Sequence, residues 1–296
     1  MMKYLRMAFF FCAALSLIYS PLLLAKQSKG IYVTQWNLEN TSFLRYLIEH
    51  AKASGIDTFV VDLELPSKRY AQNIALVKES GLKYVARIIM FPDGGTPSQI
   101  LTPAYWQRKY KLVQQAVDWG ASEIQLDYIR YNSKQKASSE HSKHINNIIS
   151  WYKNKLIPQR IPLQIDVFGI TSFGESKHIG QNIQLFAPNI DAICPMVYPS
   201  HYVPFAKHFR EPYQTVYDSL ERIKKQFGSK LPIKVFAYIE MSNYHYRMSR
   251  DKTREYILAQ IRAVEDAGVD GWYAWSPHNR YENLFYLLQN RQKFAH

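Results

Sequence analysis

Two apolar runs in the sequence are each interrupted by an aspartate, and the polar residues have the same spacing in both. In the first run Gln125 and Asp127 alternate with apolar residues, and in the second Gln164 and Asp166 do so. Such alternation is typical of a β-strand, in which successive side chains point to opposite faces. Burial of a carboxylate costs several kcal/mol unless the group is paired or hydrogen-bonded. The two aspartates therefore indicate either structural ion pairs or a reactive site.

Two carboxyl groups on adjacent strands have the chemistry required to hydrolyse a glycosidic bond. One group in its acid form protonates the leaving oxygen, while the other attacks the anomeric carbon or activates a water. Neighbouring strands lie roughly 5 Å apart, so Asp127 and Asp166 would shift each other's pKa values, as an acid and base pair requires. We interpret Asp127 as the nucleophile or its electrostatic stabiliser, and Asp166 or Glu240 as the proton donor. A carboxylate separation of about 5 Å would give retention and one of about 8 Å inversion, and the sequence leaves both open.

Polar and aromatic side chains near the ends of other predicted strands complete a candidate sugar site, because aromatic faces stack on sugar rings. Arg130 and Tyr128 would keep Asp127 ionised, since a cation and a hydroxyl donor favour the charged form. The alternative for Asp127 is a structural ion pair with Arg130 or Arg87. For Asp166 the alternative is a structural hydrogen bond to the next strand. The other candidate substrate contacts are Trp36, Asp62, Glu64, Arg87, Tyr198, His201, Tyr202, Trp275 and Asn279.

Eight short β-rich runs, each followed by a helical pattern, predict a (β/α)8 TIM barrel of the α/β class. The carboxyl ends of the strands meet at one mouth of such a barrel, which would bring the candidate residues together. No G-x-G-x-x-G follows the first run, so a nucleotide-binding open sheet is disfavoured. The predicted strands are residues 30–36, 57–64, 83–91, 122–132, 161–169, 190–199, 233–240 and 271–276, and the clearest predicted helices are 41–54, 103–119, 212–227, 251–267 and 281–288.

The start of the chain has the pattern of a secretory signal peptide. Lys3 and Arg6 precede an apolar run over residues 7–24, and Ala25 is a small residue at the predicted cleavage site. We expect residues 1–25 to be removed and the remaining single domain to be exported, either to the periplasm or outside the cell. The alternative is an uncleaved anchor, because the run approaches the roughly 18 to 20 residues that span a bilayer.

Composition narrows the function classes further. The chain has a formal net charge of +13, which favours contact with anionic envelope polymers or membrane surfaces. The alternative is that the positive charges only form a solvated basic surface. Nucleic acid is disfavoured as a binding partner, because the chain is expected to be exported and has no recognisable nucleic-acid-binding motif. The nine histidines show no metal-ligand spacing and no G-x-S-x-G motif occurs, so neither a metal, a cofactor nor a serine nucleophile is predicted. Removal of the signal would leave Cys194 alone, without a partner for a disulfide.

Four segments resemble the motifs of a bacterial family of putative glycosyl hydrolases, domain of unknown function 4015. They read QLDYIRY, IDVFG, QNIQLFAPNIDAICPMVYPSHY and GWYAWSPHNRY, and the resemblance extends from residue 30 to about 288. It implies a TIM-barrel glycosidase-like protein without fixing a substrate. Two strands depart from the family pattern: DLELP replaces Asp-Val-Lys-Asp-Asp on the second, and YIE replaces Gln-Ala-Phe on the seventh. The residues that match by position are Asp127, Tyr128, Arg130, Asp166, Tyr198, His201, Tyr202, Trp275 and Asn279.

The favoured hypothesis is an exported glycoside hydrolase that acts on a polysaccharide or glycoconjugate, which the basic charge suggests is anionic. A non-catalytic carbohydrate-binding barrel is the alternative, because the second and seventh strands depart from the family pattern. A basic scaffold on anionic envelope polymer is a third hypothesis, and it predicts salt-dependent binding without sugar selectivity. Oligomeric state and linkage are left open.

Overall fold

Eight parallel strands form the centre of the protein, and they are hydrogen-bonded in chain order. The structure, a computed structural model, describes residues 27–228 and 230–294. The eighth strand pairs with the first as well as with the seventh, so the sheet closes into the predicted (β/α)8 TIM barrel. The strands are β1 (Ser28–Val33), β2 (Thr58–Asp62), β3 (Lys83–Ile89), β4 (Glu123–Asp127), β5 (Leu163–Phe168), β6 (Ala192–Met196), β7 (Lys234–Glu240) and β8 (Gly271–Trp275).

Helices cover the outer face of the barrel. The helix predicted over residues 212–227 is confirmed, whereas a single helix over residues 103–119 is wrong. A helix does begin at Pro103, whose missing N–H suits the first turn, but a turn at Arg108 and Lys109 divides the segment into two short helices. The helices are α1 (Gln35–Glu39), α2 (Thr41–Ala53), α3 (Lys68–Glu79), α4 (Pro97–Leu101), α5 (Pro103–Gln107), α6 (Tyr110–Asp118), α7 (Glu140–Leu156), α8 (Ile183–Phe186), α9 (Phe205–Arg210), α10 (Pro212–Phe227), α11 (Arg250–Ala267) and α12 (Glu282–Gln289).

Strand β4 alternates as predicted, with its apolar residues toward the helices and its polar ones inside the barrel. Ile124 and Leu126 are fully buried in the apolar layer between sheet and helices. Inside the barrel, the Gln125 amide nitrogen donates to the Gln164 amide oxygen at 2.9 Å, and the Tyr238 hydroxyl donates to the Gln125 oxygen at 2.8 Å. A layer of hydrogen-bonded amides therefore supports the mouth of the barrel from below.

The strands are shorter than predicted because the polar residues at their ends belong to loops. Thr34, expected inside β1, instead caps α1 by accepting a hydrogen bond from the Asn37 N–H at 3.2 Å. Strand β4 ends at Asp127 because Tyr128 adopts a left-handed backbone conformation with φ of 52°. A strand continuing to residue 132 would have put Tyr128 on the outer face, and the turn sends it to the barrel mouth.

Two predictions concern the start of the chain. The predicted signal peptide, residues 1–25, lies outside the described residues, so its cleavage stays a prediction. Within residues 27–228 and 230–294, no helix is both long and apolar enough to cross a membrane.

Candidate active site

A cavity of about 420 Å³ opens at the carboxyl ends of the strands, where the fold places functional sites. Its floor carries charged side chains and its walls carry aromatic ones. The lining residues are Tyr32, Asp62, Glu64, Arg87, Ile89, Asp127, Tyr128, Asp166, Phe168, Met196, Tyr198, His201, Tyr238, Tyr244 and Trp275. Nine of the residues proposed from the sequence are therefore brought together at this mouth.

The floor of the cavity is organised around the guanidinium of Arg87. Its Nη1 pairs with Asp62, its Nη2 pairs with Asp127, and its Nε lies 3.4 Å from an Asp166 oxygen. All four side chains are less than a tenth exposed. The Tyr32 hydroxyl donates a further hydrogen bond to Asp62. One buried cation thus holds three carboxyl groups from neighbouring strands.

Strand register explains why these four residues meet. Asp62 on β2 is paired with Arg87 on β3, so the two side chains enter the barrel side by side. Leu126 is paired with Ile165, so Asp127 and Asp166 follow it at the same height on adjacent strands. The sequence predicted this adjacency from the repeated Gln-x-Asp spacing.

Asp166 has the surroundings of a carboxylic acid that keeps its proton. Its side chain is 2% exposed, and its Oδ1 atom is buried without a hydrogen-bond partner in the described part of the chain. Burial, followed by the charge of Asp127, raises the pKa of Asp166 well above its usual range. Arg87 opposes this increase without cancelling it. A buried carboxyl group that favours its protonated form therefore lines the cavity.

Asp127 has the opposite surroundings. One of its oxygens pairs with Arg87, and the other accepts a hydrogen bond from the Tyr128 backbone N–H at 2.5 Å. These donors stabilise a carboxylate. Arg130 attracts Asp127 electrostatically but forms no ion pair with it: the Arg130 guanidinium donates to the Tyr131 carbonyl at 3.0 Å and lies over the Phe168 ring. The alternative ion pair, with Arg87, is the one that forms.

Aromatic side chains form one wall of the cavity. Trp275 stacks on Tyr198 with ring centroids 5.5 Å apart and lies 5.9 Å from Tyr244. His201 stacks on Tyr244 at 5.7 Å. Tyr244 is 53% exposed, so part of this wall is open to a ligand. Rings so placed can receive the apolar face of a sugar.

Sequence reasoning missed several lining residues. Tyr32 lies within β1 and could not be told from a core residue, because this chain contains 22 tyrosines. Tyr244 lies in the loop after β7, whose cluster of Asn, Tyr and His was the available signal. Phe168 and Met196 end β5 and β6, where barrel position alone could have found them.

Glu240 ends β7 but does not line the cavity. Its side chain is fully buried behind the wall, where it accepts hydrogen bonds from the Ser200 N–H at 3.0 Å, the Ser200 hydroxyl at 2.5 Å and the Tyr256 hydroxyl at 2.5 Å. Burial raises the pKa of Glu240 to about 7. The structure thus gives no support to Glu240 as the proton donor, and connects it to the segment that carries Tyr198 and His201.

Besides Arg130, three predicted substrate contacts do not line the cavity. Trp36 is 83% exposed on α1, outside the lining. Tyr202 is buried, and its hydroxyl accepts a hydrogen bond from Ser219 at 3.0 Å. Asn279 is buried, accepting from the Thr34 N–H at 3.0 Å and donating to the Tyr32 carbonyl at 2.9 Å. Tyr202 and Asn279 hold loops in place around the mouth.

Glu64 occupies the rim and differs from the other acids in having no partner. Its backbone N–H donates to the Gln35 side-chain oxygen at 2.9 Å, but its exposed carboxylate makes no hydrogen bond or ion pair with the described residues. It also borders a second cavity of about 370 Å³, to which Asp93 and Lys109 contribute.

The described residues contain no cluster of three or more His, Cys, Asp or Glu suited to a metal ion. Between the three aspartates lies the Arg87 guanidinium.

Comparison with known proteins gives one family and a set of similar folds. Residues 98–281 match the family described as "Putative glycosyl hydrolase domain", domain of unknown function 4015, so the match begins after β3 and includes Asp127 and Asp166. No curated protein sequence matches the chain.

Three solved structures illustrate the similarity of the fold. The spore cortex-lytic enzyme SleL of Bacillus megaterium is 9% identical with a TM-score of 0.61, over 89% of this chain and 73% of its own. The C-terminal domain of a putative chitinase from Desulfitobacterium hafniense is 12% identical with a TM-score of 0.62, over 89% and 98%. The endo-beta-1,4-mannanase of Thermotoga petrophila is 12% identical with a TM-score of 0.61, over 91% and 77%. At these identities the likeness is one of fold.

Proposed function

Because the chain belongs to the family described as "Putative glycosyl hydrolase domain", we propose that it is a glycoside hydrolase in which Asp166 is the proton donor. Asp127 is the nucleophile or its electrostatic stabiliser. The substrate is a polysaccharide or glycoconjugate whose sugar rings stack on Trp275 and Tyr244. Export through the signal segment would bring the enzyme to such polymers in the periplasm or outside the cell.

The unpartnered oxygen of Asp166 is the observation that carries this proposal. A buried polar atom without a hydrogen bond is costly, and substrate is the missing partner that would satisfy it. Burial and the charge of Asp127 raise the pKa of Asp166 well above its usual range, which favours the protonated form that a general acid needs. Asp127, held by Arg87, supplies the negative charge that stabilises an oxocarbenium-like transition state. Two carboxyl groups in different surroundings thus take the two roles that glycoside hydrolysis requires.

Release of new reducing ends from a panel of neutral, acidic and amino-sugar polymers and peptidoglycan tests the proposal. We expect the parent to cut at least one polymer, and Asp127→Asn and Asp166→Asn each to lower kcat by about a hundredfold or more. Asp118→Asn is the matched control, because Asp118 is exposed at the end of α6, far from the mouth. Equal activity in all four proteins would exclude the assigned pair, and circular dichroism would verify folding.

A non-catalytic carbohydrate-binding barrel is a second candidate, and the pairing of Arg87 favours it. A guanidinium that pairs with three acids can serve stability alone. This candidate predicts that some polymer binds the parent and Asp127→Asn equally well and that no polymer is cut. Affinity gel electrophoresis with the same panel separates it from the hydrolase.

A further inference from the structure

The charges that face the cavity are opposite in sign to the charge of the whole chain. The chain carries a formal +13. The cavity is lined by Asp62, Glu64, Asp127 and Asp166, against Arg87 as its cationic residue. Even with Asp166 protonated, the lining has more negative than positive charge. The basic composition therefore says little about the charge of the sugar that binds here.

Arg87 is not available to an anionic ligand. Its three donor positions point at Asp62, Asp127 and Asp166, and its side chain is only 9% exposed. The other cationic candidate on the lining, His201, has its pKa lowered by partial desolvation and then by His245, so it is neutral at pH 7. The lining residues therefore offer an anionic sugar no free cation; Arg130, which is not one of them, lies over the rings of Tyr128 and Phe168.

The cation of the adjoining cavity, Lys109, is bound to the protein backbone and forms no ion pair with Glu64, although the two side chains attract each other electrostatically. Lys109 donates to the Ile89 carbonyl at 2.6 Å, and burial lowers its pKa. Asp93 adds another acid at the same rim. Between the two cavities lies Glu64, with its backbone fixed by Gln35 and its carboxylate unpaired among the described residues. This carboxylate is positioned to receive a cation.

We propose, building on the glycosidase function proposed above, that the sugar unit bound in this cavity carries a free ammonium group and that Glu64 is its carboxylate partner. The unpaired Asp166 oxygen independently marks the cavity as a ligand site. An ammonium group also gains from the faces of Trp275 and Tyr244, since aromatic faces attract cations. The substrate class is a partly N-deacetylated amino-sugar polymer.

The basic surface fits such a polymer when only some of its units are deacetylated. Charges outside the cavity are screened over about 8 Å at physiological ionic strength, so they repel only the amines that come close to them. A polymer with few, scattered amines is therefore repelled weakly. The acidic cavity then selects the deacetylated unit.

Matched pairs of polymers test this inference on the full-length chain. Each pair consists of a partly deacetylated polymer and the same material after chemical re-N-acetylation, for β-1,4- and β-1,6-linked glucosamine and for galactosamine. Affinity gel electrophoresis measures binding by the parent, Glu64→Gln and the control Glu49→Gln, an exposed acid on α2. We expect the parent to bind the amine form of one pair about tenfold more tightly, and Glu64→Gln to lose most of that preference.

The outcomes separate this inference from the hydrolase proposal. Equal binding to both forms of every pair would overturn the ammonium site, and so would an equal preference in the Glu64 and Glu49 variants. If re-N-acetylated or neutral polymers are cut as well as amine forms, the hydrolase stands and the ammonium site does not. If an amine form is preferred through Glu64 and nothing is cut, the ammonium site stands and the hydrolase does not.

Discussion

At the scale of single residues, the environment of each carboxyl group assigns its role more clearly than its position in the sequence does. Asp127 and Asp166 were recognisable because a Gln-x-Asp spacing occurs twice and parallel strands align it. Glu240 was equally conspicuous, yet its side chain is fully buried and does not line the cavity. The direction of a side chain after a strand end depends on the local backbone, as the positive φ of Tyr128 and Asn279 shows. Spacing alone does not predict that direction.

Arg87 is the second residue whose surroundings define its role, because no other described cation pairs with the three aspartates. We expect Arg87→Lys to lower the free energy of unfolding by roughly 2 to 4 kcal/mol, since one ammonium cannot replace three directed N–H groups. Urea unfolding at pH 7 measures this change. Arg45→Lys, at an exposed position on α2, should change it by no more than about 0.5 kcal/mol. Equal effects of the two substitutions would contradict a central role for the guanidinium.

At the scale of elements, Glu240 links the end of β7 to the segment after β6 and to α11. Ser200 lies two residues after Tyr198 and next to His201, and Tyr256 belongs to α11. The same turn is held from outside, because the Ser200 carbonyl lies 3.0 Å from the His245 Nε2 atom. Glu240 therefore acts on the cavity wall through other residues. The sequence could locate this acid at a strand end, but its partners come from the segment after β6 and from α11, and no local pattern predicts that these approach Glu240.

The pH dependence of stability should report on Glu240. Its pKa is about 7 in the folded protein against 4.5 as its ordinary value, so the folded state binds the proton more tightly. Stability then decreases as pH rises from about 4.5 to 7, by roughly 3 kcal/mol from this group. Glu240→Gln should remove the contribution of Glu240 to this pH dependence and leave the contribution of Asp166. The free energy of unfolding of the parent and the variant is measured from pH 4.5 to 8. As the pH rises, the variant should become more stable relative to the parent. A difference that stays constant with pH would contradict this.

At the scale of the whole molecule, the eightfold βα pattern predicted the barrel because each unit has its own local signal. Short strands flanked by glycine and followed by amphipathic segments are readable one at a time, and closure follows from their number. The cavity wall was harder to predict, because Tyr32, Tyr238 and Tyr244 come from distant segments with no shared pattern. Charge was misleading at this scale, since the whole chain is basic and the cavity is acidic.

Export is also a property of the whole molecule. We expect cleavage after Ala25, because a small residue there follows an apolar run with basic residues before it. Expression of the full chain in a bacterial host, followed by fractionation and N-terminal sequencing, should find the mature protein beginning at Lys26 outside the cytoplasm. Recovery of an intact N-terminus in the membrane fraction would instead establish the uncleaved anchor.

Rates on two leaving groups test the central claim, the role of Asp166 as proton donor, most directly. A natural glycoside needs a proton on its leaving oxygen, whereas a dinitrophenyl glycoside of the same sugar does not. We predict that Asp166→Asn loses about a hundredfold or more in kcat on the natural substrate and little on the dinitrophenyl one, while Asp127→Asn loses activity on both. An equal loss on both substrates in Asp166→Asn would contradict the assignment of Asp166 as the acid.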